Sequence, residues 1–218
     1  MKPVSRVIYQ FWTGDNEMSP ARKACLESSV NLGVPVKLIT PDNLGEYVIP
    51  GHPLHKSYGL LSYTHRSDYL RCYFMHFHGG GYADIKFYTK DNNWPAAFDI
   101  LDSRPEVDIV GAPEIRGWAA VPRYNQESIC SKLVGCGFFV ARPMSRFTSL
   151  WFSNVESYLT SMSRMLERSA AGLCGYPLPY WGVLGYQIHE ACLEIADSYP
   201  NSISRELVHG IDAGVPYR

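Results

Sequence analysis

The sequence predicts one α/β domain over residues 1–218, a central mixed sheet flanked by helices. Three observations predict it. The chain opens strand–helix–strand, which is the first half of a doubly wound nucleotide-binding sheet. Short apolar runs recur between stretches with helical spacing. A mid-chain helix then breaks at three glycines and returns as a strand that ends in an aspartate. A length of 218 residues suits one sizeable domain and falls short of two.

Taken in order, Val7-Ile8-Tyr9-Gln10-Phe11-Trp12 reads as a buried first strand, and Thr13-Gly14-Asp15-Asn16 as a loop. Ser19-Pro20 is a cap followed by proline at the first helical position, so a helix is expected to about Leu32, stopping at Gly33. Val34 to Ile39 reads as a second strand, with Pro35 near its start, where a missing N–H is tolerated. Asp42 to Ser57 is expected to form a short helix and an irregular loop. A longer helix follows from about Leu61 to Phe77, with Leu70, Phe74 and Phe77 facing the core.

The run Gly79-Gly80-Gly81 ends that helix, and Tyr82-Ala83-Asp84-Ile85 reads as a short strand. Val107 to Ala112 and Gly137 to Ala141 are further strands. Between them, Glu114 to Ser131 is rich in loop residues and carries Trp118 and Tyr124. Helices are expected from Ser145 to Ala170 and from Val183 to Asp197. No internal repeat, low-complexity tract or linker interrupts the chain.

Composition excludes several classes. A formal net charge of -1 offers no electrostatic footprint for nucleic acid or a membrane surface. No run of 18 apolar residues is present, so no transmembrane helix is expected. The segment after Met1 lacks a signal-cleavage pattern, and the expected location is cytoplasmic. The six cysteines show no Cys-x-x-Cys spacing and fall in apolar segments, which reads as reduced, mostly buried thiols. No His/Cys set has zinc-ligand spacing. No Gly-x-Gly-x-x-Gly follows the first strand, which excludes a dinucleotide-dependent dehydrogenase.

The chemistry concentrates in residues 67–86. Asp68 and Arg71 stand at i and i+3 and emerge from one helical face. Arginine is a permanently charged planar donor suited to phosphate, and aspartate accepts from sugar hydroxyls. On spacing alone, a local helix salt bridge is the favoured reading, and the glycine turn that follows raises the functional one. The glycine run lets backbone approach a ligand closely, or serves as a helix C-cap with a tight turn. Asp84 stands at a strand's carboxyl end, where open α/β sheets bind ligands, and it can hold a divalent cation that bridges two phosphates. Its other reading is a strand-end cap.

Ser67-Asp68-x-x-Arg71, followed by Gly80-Gly81-Tyr82-Ala83-Asp84, resembles the glycosyltransferases with a DXD sugar-binding region. That group includes yeast-type initiating α-mannosyltransferases and bacterial capsular-polysaccharide transferases. Gln10 and Trp12 match that family's first strand, where Tyr9 stands in the place of a usual His. Val134 to Pro143 is loosely similar to a later strand of the family, so the resemblance covers roughly residues 6–143. It implies a GT-A-like (Rossmann-like) nucleotide-diphospho-sugar transferase fold.

The resemblance also implies roles. The backbone from Tyr9 through Gln10 and Phe11 to Trp12 would receive the base, Asp68 would bind donor-sugar hydroxyls, and Arg71 would lie near the sugar or diphosphate. Gly80, Gly81, Tyr82 and Ala83 would line the donor site, and Asp84 would hold Mn²⁺ or Mg²⁺. The motif's second Asp is Lys86 here. Lys86 has three readings: a solvent-facing side chain, a cation that neutralises the diphosphate itself, or the mark of a degenerate site. Residues 84 and 86 share a face if the strand continues, which favours the second. The expectation is an active enzyme with weak or altered metal dependence.

Asp91, Tyr180 and Trp181 are further candidate contacts to acceptor or donor, each with an ordinary turn or core reading. His189-Glu190 reads as helix surface. The resemblance implies a retaining transferase using a UDP-sugar, or else a GDP-sugar, and a glycan hydroxyl acceptor. An inverting enzyme would need a carboxylate base, for which Asp84, Asp91 and Glu114 are the candidates. The rival from another class is a transferase-like module that binds nucleotide sugar or glycan without turnover. A nucleotide-sugar hydrolase or pyrophosphorylase would show a basic glycine loop near residues 13–20, which is absent. A full chain and a domain of a larger protein remain equally compatible with the sequence.

Overall fold

The computed structural model describes residues 4–114, 129–168, 178–179 and 182–216. Its strands are β1 (Ile8–Phe11), β2 (Val36–Ile39), β3 (Gly80–Ala83), β4 (Ile109–Pro113), β5 (Val134–Ala141) and β6 (Ile203–Ser204). Its helices are α1 (Pro20–Ser28), α2 (Tyr63–Phe77), α3 (Trp94–Ser103), α4 (Arg146–Arg168) and α5 (Gln187–Ala196). Among the described residues the strands form one mixed sheet in the order β2-β1-β3-β5-β4-β6.

β1 runs parallel to β2 on one side and to β3 on the other. The strand order therefore reverses at β1, the switch point at which open α/β sheets take their ligands. β5 runs antiparallel to both β3 and β4. The carboxyl ends of β1, β3 and β4 and the start of β5 consequently share one edge.

Side-chain alternation along the strands builds two cores. Tyr9, Phe11, Tyr82 and Phe139 face Phe74 of α2, Trp151 of α4 and Ile188 of α5. Ile8, Ala83, Val110 and Val140 face Trp94, Phe98 and Leu101 of α3. α2 packs on β1, β3 and β5 and also on α4. Every residue from Asp68 to His76 is buried as a result.

Local chemistry sets the helix ends. The Ser19 side chain accepts from the Arg22 amide at the start of α1, with Pro20 next to it. Ser62 does the same for α2 through the His65 amide. At the far end of α2, Gly79 turns at φ 65° and its N–H reaches Phe74 O at 3.0 Å.

The expected α/β architecture with a mixed sheet is the observed one, and several elements differ in detail. The first helix closes as a 3-10 turn over Ser29–Leu32. The second strand begins at Val36 and the fourth at Ile109. The last expected helix starts at Gln187, after a run of turns. α3 and β6 carry no counterpart in the sequence reading. Trp118 and Tyr124 lie outside the described residues.

The third strand is Gly80–Ala83, two residues earlier than the expected Tyr82–Ile85. Gly80 and Gly81 belong to the sheet. A Cβ on Gly80 would stand 2.8 Å from Val7 O, and one on Gly81 3.0 Å from Ile8 Cγ1. Of the two readings of the glycine run, the helix C-cap with a tight turn into the strand is the one this geometry displays. Gly79 closes the helix, and its two neighbours let β3 lie against β1. Among the described residues, no helix is long and apolar enough to cross a membrane.

Candidate functional site

Asp68 and Arg71 leave α2 on the side that meets the shared strand edge. Asp68 is 3% exposed, and an Arg71 guanidinium nitrogen donates to its Oδ1. The Gly185 N–H also donates to Asp68, and a Cβ on Gly185 would lie 3.3 Å from Oδ1. Burial raises the Asp68 carboxyl above its usual range, while the charges of Arg71 and His65 pull it back. Arg71 donates its other terminal nitrogen to Cys136 O, and the guanidinium carbon stands 5.0 Å from the Tyr82 ring centre. Burial works against the Arg71 charge, and Asp68, Tyr82, Cys136 and Asp84 more than offset it, so the cation is held. The bland reading, a helix salt bridge, is thus satisfied in form. Its burial at the strand edge sets it apart from a surface pair.

Asp84 follows β3 directly and is partly exposed. Its Oδ1 accepts from the Tyr82 hydroxyl at 2.6 Å. A Cβ on Gly137 would come within 3.1 Å of its Oδ2, so the carboxylate rests on a bare backbone. Its amide donates to Gly137 O, and its carbonyl accepts from Tyr88 Oη at 2.5 Å and from Gln10 Nε2 at 3.4 Å. Burial pushes the Tyr82 phenol up, which keeps it a donor.

Lys86 does not stand on a strand. β3 stops at Ala83, and the chain then turns against α1: Arg22 donates to Ile85 O at 2.6 Å, and Ser28 Oγ donates to Lys86 O at 3.4 Å. The strand expected to carry both Asp84 and Lys86 therefore ends before either of them.

The remaining predicted residues divide. Tyr9 is buried, with its ring 4.9 Å from that of Phe74, and Phe11 stacks on Tyr82 at 5.4 Å. Gln10 is fully buried and accepts from Ser29 Oγ at 3.1 Å while holding the Asp84 carbonyl. These three shape the floor of the site from within. Trp12 is partly exposed at the carboxyl end of β1, with its Nε1 donating to Asn16 O at 2.7 Å. Gly80 and Gly81 lie toward the opposite end of β3, and Ala83 faces the α3 side. Asp91 is exposed in a turn, where its amide donates to Thr89 Oγ1. Tyr180 and Trp181 lie outside the described residues.

Sequence reading missed His189, Cys136 and the two glycines beneath the carboxylates. His189 is fully buried, and its Nε2 lies 2.8 Å from Oε2 of Glu114, the residue after β4. The Cys136 thiol is pushed up to about 12, mainly by burial; Arg71 opposes this, and the charges of Asp84, Asp68 and Glu114 add to it. Such a thiol stays protonated and is no nucleophile. One signal for these residues was available: Cys136-Gly137 opens an apolar strand that must pair with the one ending at Asp84.

Among the described residues, no group of three or more His, Cys, Asp or Glu side chains is arranged to hold a metal. Asp84 has one oxygen engaged by Tyr82 and remains partly exposed. That suits a Mg²⁺-like ion bound through a single carboxylate and substrate phosphates. Such an ion would supply positive charge at this strand edge.

Comparison with curated proteins gives no match. A family model matches the part of the chain that holds β1, α2, β3 and most of α3, and with them Asp68, Arg71 and Asp84. Glu114, Gly137, Gly185 and His189 lie beyond it. Over residues 2–100 the chain is similar to the family described as capsular polysaccharide synthesis protein.

Proposed function

We propose that the chain is a glycosyltransferase acting in the cytoplasm. It moves a sugar from a nucleoside diphosphate donor, a UDP-sugar first and a GDP-sugar second, to a glycan hydroxyl. The observation that carries this reading is the meeting of Asp68, Arg71 and Asp84 at the carboxyl edge of β1 and β3. The similarity of residues 2–100 to capsular polysaccharide synthesis proteins supports it.

In this reading Asp68 accepts from donor-sugar hydroxyls, with its orientation held by Arg71 and Gly185. Arg71 provides a fixed cation against the charge that grows on the diphosphate. Asp84 faces the diphosphate, held in place by Tyr82, and is the residue that would carry Mn²⁺ or Mg²⁺. Transfer retains anomeric configuration. The bond from the anomeric carbon to phosphate breaks with its electron pair on the diphosphate. The acceptor oxygen bonds to that carbon on the same face, and its proton passes to the leaving diphosphate. Positioning the two substrates supplies much of the rate.

Lys86 at the motif's second position favours one rival, a module that binds nucleotide sugar without turnover. Calorimetric titration of UDP, UDP-glucose, GDP and GDP-mannose, each with Mn²⁺ and with EDTA, separates the cases. Binding that needs Mn²⁺ and is lost in Asp84→Ala is the expected result. Binding indifferent to EDTA but lost in Lys86→Ala assigns the metal's electrostatic role to the lysine. Binding without release of nucleotide from UDP-glucose or GDP-mannose supports the inactive module. Failure of all four ligands overturns the transferase reading.

A further inference from the structure

We propose that Glu114 is a catalytic carboxylate of the transfer and that His189 is its positioning residue; this rests on the transferase reading above. β4 and β3 run in the same direction on either side of β5. Glu114, one residue past Pro113, therefore opens at the same edge as Asp84. The start of β5 lies between them. There Arg71 donates to Cys136 O, and the Asp84 carboxylate rests on Gly137, the next residue of the strand.

The pair itself is unusual. His189 sits on α5 beside Ile188, Ala191, Cys192 and Ile195, all buried. It is fully buried, and the Glu114 side chain is 8% exposed. Among the described residues neither ring nitrogen makes a hydrogen bond of good geometry, and Nε2 stands at ion-pair distance, 2.8 Å, from Glu114 Oε2. Two ionisable groups drawn out of water are a costly way to fill space, and apolar residues of similar volume would pack there more stably. The Tyr186 ring, 5.3 Å away, covers the imidazole. Such a pair is explained by what it holds in place, a carboxylate on the residue that follows β4 at the strand edge.

The chemistry follows from charge. As the sugar–phosphate bond breaks, positive charge builds on the anomeric carbon and ring oxygen. A fixed carboxylate there stabilises the transition state more than the ground state. Glu114 forms no covalent bond to the sugar in this role. The electron pair of the broken bond leaves on the diphosphate, the acceptor oxygen bonds the anomeric carbon, and the acceptor proton leaves on the diphosphate.

The test uses the full chain and whichever of UDP-glucose and GDP-mannose binds it, with water as acceptor. Release of nucleotide and the dissociation constant are measured for wild type, Glu114→Gln, His189→Leu and His189→Gln. The expected result is a rate about 100-fold lower in Glu114→Gln, with affinity changed less than about twofold. His189→Leu is expected about tenfold slower, and His189→Gln, which keeps a donor at the Nε2 position, recovers most of that. A Glu114→Gln enzyme as fast as wild type overturns the proposal and leaves the transferase reading standing. So does an affinity loss that accounts for the whole rate loss. Inversion of configuration, with Glu114 taking the acceptor proton, also overturns the electrostatic role. A wild type that turns over neither donor refutes the proposal together with the enzyme reading. Should Glu114→Gln fail to fold, the double variant with His189→Gln pairs two amides without charge and is read in the same way.

Discussion

The hydroxyl of Tyr82 and the carboxylate of Asp84 are joined by a 2.6 Å hydrogen bond that spans the carboxyl end of β3. Ser67 of α2 hydrogen-bonds the same hydroxyl, and Arg71 lies over the same ring. One tyrosine thus fixes the direction of Asp84 while its ring supports the cation.

Replacing Tyr82 by Phe keeps the ring and removes the hydroxyl. A hydrogen bond to a charged group contributes about 1.5–3 kcal/mol. Tyr82→Phe is expected to remain folded and to bind the nucleotide sugar about tenfold more weakly, a change of roughly 1.4 kcal/mol. Calorimetry of both proteins checks this, and equal affinity would show that Asp84 holds its place without the tyrosine.

The Asp68–Arg71 pair makes a prediction about stability. Both side chains are buried, so removal of either leaves an uncompensated charge. Asp68→Leu and Arg71→Met are each expected to cost about 3–5 kcal/mol, and the double variant clearly less than the sum. Urea unfolding of the four proteins measures the coupling. Additive losses would mean that the two charges do not depend on each other.

Four histidines set the response to acid. Burial lowers His55, His76, His78 and His209 below their ordinary 6.5. Below 6.5 the unfolded chain takes up protons that the native chain refuses until its own lower values are reached. Stability is therefore full above that pH and falls as pH drops through the window beneath it. Burial raises Asp68 and Asp108, which act with the opposite sign as pH rises from the ordinary carboxylate range. A histidine-specific comparison removes them. The His76 ring stacks on Phe152 at 4.8 Å, so His76→Phe preserves the contact. Its urea midpoint is expected to fall less than that of wild type between pH 7.5 and 5.5. Parallel declines would remove His76 from the account.

The strand–helix–strand opening, the capped helices and the common face of Asp68 and Arg71 were legible because each depends on residues within one or two turns. What escaped was set by distant neighbours. α3 begins at Trp94 with Pro95 and is anchored by Asn93, whose side chain bonds Glu206 O and the Val208 amide. β6 has two residues, too few for any period. His189 looked like helix surface because its partner lies 75 positions earlier, after another strand. The end of β3 was placed two residues late because the apolar run continues to Ile85 while the strand stops at Ala83. No local pattern showed that α2 is buried all round from Asp68 to His76, since its charges and histidines mimic a solvated helix.

The glycine run has a consequence for sorting sequences of this kind. Gly80 at φ 91° and Gly81 beside Ile8 are demanded by the closeness of β3 to β1. A descendant that abandoned catalysis would still need them to assemble the sheet. Their presence in a sequence therefore reports that the sheet is assembled this way and carries no information about turnover. Sorting such sequences by the glycines would sort them by fold alone.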